Sequence, residues 1–219
     1  MRARGIVRLV VPALALLMAG CATNRGYMTL RTPEAAAGEQ IAGKVAVIET
    51  VRDNRVFVVD PPEPSTPSIK EGKKYELDAE QRKKVIARKR NGYGMAIGDI
   101  LLEDGSTVET LTRDLVEKGL RKRGYAIGNG DAAGAIRVKV DIAKFWAWFT
   151  PGFFSVAMEA QLETALTVTG AAADRKVDVA AYGINKGQSG REDNWRVAYD
   201  RAFADYMTKL DTALGNAGL

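Results

Sequence analysis

The stretch "AIRVKVDIAKFWAWF", residues 135–149, decides the fold. Ile136, Val138, Val140 and Ile142 alternate with Arg137, Lys139 and Asp141. A period of two puts one set in a core and the other in water, so this is a half-buried strand. Thr150, Pro151 and Gly152 then signal a turn. The chain returns as "FFSVAMEAQLETALTVTG" (153–170), in which Val156, Met158, Ala160, Leu162, Leu166 and Val168 alternate with Ser155, Glu159, Gln161 and Glu163. "RKVDVAAYGINKG" (175–187) adds a third strand and completes a meander.

Helices flank this meander. Ser106 and Glu109 spell a capping box. Val108, Leu111, Leu115, Val116 and Leu120 then fall on one helical face. Arg121, Lys122 and Arg123 occupy the last turn, where cations oppose the helix dipole, and Gly124 supplies the stop. Helix-end chemistry explains these cations without a binding patch. Ser189 and Glu192 spell a second box, followed by Trp195, Tyr199, Ala202, Phe203, Tyr206, Leu210 and Leu214 at helical spacing. Upstream, "GKVAVIE" (43–49) opens the domain as a strand and "NRVFVVD" (54–60) is a short second one. "PPEPSTP" (61–67) holds four of the seven prolines and must be an extended loop. Asp78, with Gln81, caps a charged surface helix over 79–90, and "GYGMAIGDILLED" (92–104) returns to strand. The order gives an α+β class: a mostly antiparallel sheet with a long hairpin and helices packed on one face.

Six of the sixteen aromatic residues sit in "FWAWFTPGFF" (145–154). Continuing the even-numbered core register gives Lys144, Trp146 and Trp148, with Phe145 and Phe149 on the wet face. Both faces are then apolar near the turn, whereas a sheet with helices on one side needs only one apolar face. The second face is covered either by the chain's own tether or proline loop, or by a partner or membrane surface. Phe145, Trp146, Trp148, Phe149, Phe153 and Phe154 are the candidate partner or ligand surface.

Residues 1–20 read as an export signal: Arg2, Arg4 and Arg8 precede an apolar run from Leu9 to Ala19 that is too short to span a bilayer. "LMAGC" (17–21) resembles a bacterial lipobox, although Met18 stands where such motifs usually carry Leu. Cys21 is the only cysteine, so no intramolecular disulfide forms, and lipidation is its expected fate. The net charge is +5, of which the signal arginines account for three, leaving about +2. That remainder sits in residues 70–90, with nine Lys/Arg against four Asp/Glu, so the basic balance is no mark of nucleic-acid binding. The expected division is a signal at 1–20, a flexible tether at 21–42, and a single domain at 43–219. A proline-rich and basic insertion is expected at 60–91, exposed and outside the core.

Lipobox, first strand, the loose Asp-x-x-Arg-like turn "DNR" (53–55), a helix ending in "RGY" (123–125), long hairpin and C-terminal helix come in that order. Together they resemble the YajG-like family of uncharacterised Gram-negative envelope lipoproteins, over residues 43–214. The resemblance implies a small α+β domain tethered to a membrane, and it makes 60–91 an insertion. Ala22 after the lipid cysteine implies sorting to the periplasmic face of the outer membrane. The family brings no catalytic residues to carry over.

Histidine is absent, which removes Ser-His-Asp and Cys-His catalysis and nearly all zinc sites. "GNGDAAG" (128–134) matches G-x-G-x-x-A, but a helix precedes it and a strand follows, so it is a turn. "KGQSGRED" (186–193) precedes a helix N-terminus but lacks the P-loop ending. Glu159, Glu163 and Asp141 sit on strand faces where solvated carboxylates belong. The expectation is a lipoprotein without enzymatic activity or cofactor beyond the lipid on Cys21, binding an envelope protein partner and no nucleic acid. The competing readings are an accessory subunit of a lipid or other transport system holding an apolar ligand, and a carboxylate-based hydrolase. An apolar groove or a carboxylate-lined pocket, respectively, would favour them.

Overall fold

The computed structural model describes residues 25–34, 38–69, 76–91, 93–103, 105–152, 155–170, 173–187 and 191–219. In chain order the elements are β1 (Gly26–Met28), β2 (Val45–Asp53), β3 (Val58–Val59), β4 (Ser68–Ile69), α1 (Ala79–Lys84), β5 (Val85–Arg90) and β6 (Ala96–Leu102). Then come α2 (Val108–Lys122), β7 (Ala126–Ile127), β8 (Ile136–Pro151), β9 (Val156–Thr169), β10 (Arg175–Gly187) and α3 (Glu192–Asn216).

The alternating stretch 135–149 lies at the centre of the sheet, as β8. One edge of β8 pairs antiparallel with β9, from Arg137↔Thr169 to Pro151↔Val156, and β10 lies beyond β9. The other edge is shared. β2 runs parallel along it from Ala46↔Ile136 to Asp53↔Ile142, and β5 then takes over, parallel, at Ala87↔Ala147. β6 pairs antiparallel with β5, β1 parallel with β6, and β7 parallel with β2. The sheet is mixed, but its long ladders are antiparallel. β3 and β4 form a separate two-stranded ribbon.

Helices α2 and α3 cover one face. Every residue anticipated for the α2 face is buried, as are Trp195, Tyr199, Ala202, Phe203, Tyr206, Leu210 and Leu214 of α3. The helices approach closely: a Cβ on Gly119 would lie 2.4 Å from Leu210 Cδ2. The α2 box starts one residue later than Ser106–Glu109. Thr107 Oγ1 accepts from the Thr110 amide and Thr110 Oγ1 accepts from the Thr107 amide, so two hydroxyls close the box. Glu109 is freed to accept from the Asp53 amide at 3.4 Å. The N-cap of α3 is Arg191, without a side-chain cap, and Ser189 lies outside the described residues.

Two expected boundaries are corrected. The segment 60–91 is not an insertion outside the core: α1 ends at Lys84, and Val85, Ile86 and Ala87 are completely buried in β5. Three apolar residues in succession fit a strand sealed on both faces, and the edge of β8 beyond Asp53 is open to receive one. Nor is all of 21–42 a tether. β1 joins the sheet at Gly26, and Met28 and Leu30 are buried.

Candidate functional site

The register of β8 breaks at Ala143. Ile142 pairs with Thr164, and Lys144 with Glu163, so Ala143 is the extra residue of a β-bulge. Unbroken alternation would have put the ammonium of Lys144 into the core, at a cost of several kcal/mol for an unpaired buried charge. The bulge instead brings Lys144 to the outer face, where it donates to Gln161 Oε1 at 3.0 Å. Every residue after it changes sides. Phe145, Ala147 and Phe149 continue the helix-side core, and Trp146 and Trp148 face outward. The expected register, with Phe145 and Phe149 on the wet face, is thereby overturned.

The same bulge sits at a fork. β2 leaves the edge of β8 after Ile142, and β5 joins it at Ala147. The gap is filled by Arg55, whose guanidinium is fully buried. Nε and Nη2 bind the two carboxylate oxygens of Asp53, each at 2.8 Å. Nη1 donates to the carbonyls of Val85 (2.6 Å) and Phe145 (3.0 Å), and Nη2 also donates to that of Arg82 (2.8 Å). All five N–H groups of the fork have acceptors. The "DNR" turn is therefore a structural clamp joining β2, α1, β5 and β8.

Beyond Arg55 the chain lies over the outer face as a cover. Phe57 meets Trp146 edge-on with centroids 6.1 Å apart, and Trp146 Nε1 donates to the Pro64 carbonyl at 3.1 Å. Leu77, Val85 and Leu101 complete this second small core, with Ile69 and Trp148 at its rim. The proline loop thus covers the second apolar face locally. Phe145 and Trp146 are both 0% exposed, which removes them from the expected partner surface. Phe149 is half-buried against the helix-side core. Phe153, Phe154 and Cys21 lie outside the described residues.

Trp148 stands where the cover ends. It is half-buried, and its ring lies 6.3 Å from that of Tyr182 on β10, which is 41% exposed. Lys144 Nζ sits 5.7 Å from the Trp148 centroid. Glu159 accepts from Thr150 Oγ1 at 2.5 Å and from the Tyr182 hydroxyl. Partial desolvation, then the hydrogen bond and charge of Glu159, push the Tyr182 phenol up to about 12. The result is a fixed aromatic pair with a cation on one side and a carboxylate on the other. Sequence reasoning singled out Trp148 and missed Tyr182, whose signal is its position on the outward set of β10, in register with Gln161.

Glu163 accepts from Gln161, and Asp141 from Asn54 at 2.9 Å, so each of these carboxylates is bound to a neutral side-chain amide on its strand face. "GNGDAAG" is a turn, with Gly130 and Gly134 at positive φ. Lys122 and Arg123 bind Asp211 of α3, so the cations ending α2 hold two helices together. Among the described residues, no three His, Cys, Asp or Glu side chains gather as a metal site would need. No helix among them is long and apolar enough to cross a membrane.

A family model described as an uncharacterized lipoprotein matches residues 65–190, a span that includes most of 60–91. No curated protein matches the chain. Among solved structures, a DUF330-family protein from Xanthomonas campestris is similar at 12% identity and a TM-score of 0.47, covering 89% of this chain and 97% of its own. An uncharacterized protein is similar at 10% identity and a TM-score of 0.43, covering 87% of this chain and 99% of its own.

Proposed function

The chain belongs to the uncharacterised, YajG-type lipoprotein family, and on that premise we propose that it is a non-catalytic module of the bacterial envelope, held by lipid on Cys21 and binding a protein partner through the Trp148–Tyr182 face. The observation that carries this reading is the half-buried Trp148 beside the exposed Tyr182 on a sheet face where Lys144 and Glu159 hold both rings. Aromatic side chains fixed on a rigid element bring large contact area at low entropic cost, which makes Trp and Tyr frequent anchors of binding energy. An acyl chain would need apolar volume on the same face, and Phe57, Leu77 and Ile69 occupy it. Two glyceride-linked chains on Cys21 give the stable attachment that a single chain does not. Ala22 favours the outer membrane.

The test is crosslinking in intact cells from a photoreactive residue at position 148, with a second probe at the exposed Lys139 as control. One envelope protein captured from 148 and not from 139, and lost on Tyr182→Ala, supports the reading. Identical products from both positions would defeat it. Replacing Cys21 with Ala should release the protein from the membrane. Mass spectrometry showing an unmodified Cys21 in the membrane-extracted protein would remove the anchor.

A further inference from the structure

The first described strand is held firmly at its N-terminal end. β1 runs parallel to β6 with Gly26 opposite Ile100, and Arg25 Nη2 donates to the Glu76 carbonyl at 2.6 Å. The Lys89 side chain reaches from β5 across to β1, where a Cβ on Gly26 would sit 2.7 Å from its Nζ. Cys21 is four residues before Arg25. Four residues span at most about 14 Å at ~3.5 Å each. Followed backward, β1 and β6 both point to the β5–β6 turn, where Arg90 pairs with Ala96. From Ile100 to Ala96 is about 13 Å at ~3.3 Å per residue. A lipid on Cys21 therefore has no slack with which to lift this end of the sheet away from the bilayer.

That end carries interfacial chemistry. Tyr93 is 92% exposed and Met95 58%. Both are displayed by a braced turn: Asn91 Oδ1 accepts from the amides of Tyr93 and Met95, each at 3.0 Å, and Gly94 adopts positive φ. Arg90 spans the turn, donating to the carbonyls of Gly94 and Pro61. Pro61, Pro62, Arg90, Tyr93 and Met95 line a cleft of about 500 Å³. Lys89, the preceding residue of β5, pairs instead with Glu192 of α3 at 3.4 Å. A tyrosine ring suits the head-group layer, apolar at one end and wet at the other, and nearby cations are drawn to anionic head groups.

We propose that the β5–β6 turn is the face the anchored domain sets on the membrane, with Tyr93 and Met95 in the head-group layer and Arg90 against anionic lipid. The proposal rests on the lipid anchor at Cys21, and it fixes which end of the domain faces the bilayer. The experiment uses the full-length lipidated protein, in which the sulfur of Cys21 is a thioether and an introduced cysteine is the free thiol. Nitroxide is placed by Met95→Cys, by Tyr93→Cys or, as control, by Asp131→Cys. Asp131 is fully exposed in the loop before β8, at the opposite end of the sheet. Each protein is bound to phosphatidylethanolamine–phosphatidylglycerol vesicles. The expected result is a several-fold rise in oxygen over nickel-chelate accessibility at 93 and 95, with 131 at its aqueous value. Aqueous values at 93 and 95 in protein that floats with the vesicles overturn the orientation and leave the anchor standing. Protein that does not float denies the anchor, and the orientation with it. Unchanged immersion on purely phosphatidylcholine vesicles strikes out the role given to Arg90.

Discussion

Phe145 and Trp146 are neighbours in the chain and lie in two different cores. Phe145 stacks on Tyr199 of α3 with centroids 5.4 Å apart, and Trp146 packs under the proline loop against Phe57. Truncating either should cost stability. Phe145→Ala and Trp146→Ala are each expected to lose about 3–5 kcal/mol, as buried aromatics do. Trp148→Ala, at a half-buried rim position, should lose less, roughly 1 kcal/mol. Urea denaturation of the three variants checks this, and a Phe145→Ala protein unfolding at the parent midpoint would contradict the placement.

The Arg55–Asp53 clamp makes a second prediction. Arg55→Met takes the guanidinium away from the carbonyls of Arg82, Val85 and Phe145 and from the Asp53 carboxylate, which keeps only the amide of residue 55. Removing one partner of a buried pair costs about 3–5 kcal/mol. Because the two side chains act as a unit, the double variant Arg55→Met, Asp53→Asn should be less damaged than the sum of the singles by about 0.5–3 kcal/mol. Strict additivity in the double-mutant cycle would show that the pair does not act as a clamp.

The α+β class, the meander and both large helices were legible because each is long and strongly periodic. β10 begins and ends where its alternation does. What was missed lay where a local pattern met a tertiary demand. Strict alternation carried past Ile142 overlooked that Lys144 had no place inside, and that conflict is the sequence signal for the bulge at Ala143. The segment 79–90 looked like one helix because Val85 and Ile86 seemed too few for a core. In fact the open edge of β8 takes them as a strand. "DNR" reads as a turn, and nothing local announces that Arg55 reaches three carbonyls distant in sequence. Tyr182 was hidden by an otherwise regular strand, since only the pairing of β10 with β9 brings it to Trp148.

Tyr182 titrates late because partial burial and the carboxylate of Glu159 both oppose a phenolate. With its folded value near 12 against the ordinary 10, the phenol contributes stability below about pH 10 that is lost as pH rises toward 12. Glu159→Gln removes the charge and leaves the desolvation, so the Tyr182 transition should move down only part of the way. Ultraviolet difference titration of tyrosinate, with Tyr182→Phe as the subtraction, reads this directly. A transition indifferent to Glu159→Gln would mean that the carboxylate does not hold the phenol.

Gly183 is where α3 comes closest to the sheet. A Cβ there would lie 2.2 Å from the Ala198 carbonyl oxygen and 2.4 Å from the Ala202 amide nitrogen, both of them helix backbone. Neither atom can swing aside as a flexible side chain would. On either side α3 satisfies the outer edge of β10: Asp205 accepts from the Tyr182 amide at 2.9 Å, and Arg201 donates to the Ile184 carbonyl at 2.5 Å. Gly183→Ala must therefore push the helix outward and break both contacts. The overpacking should cost about 1–3 kcal/mol, toward the upper end because backbone has to move. The variant should also self-associate, since an uncovered strand edge is a template for pairing with another chain. The urea midpoint and sedimentation velocity of the purified variant test the two consequences separately. A monomeric Gly183→Ala protein with the parent midpoint would show that α3 does not seal this edge.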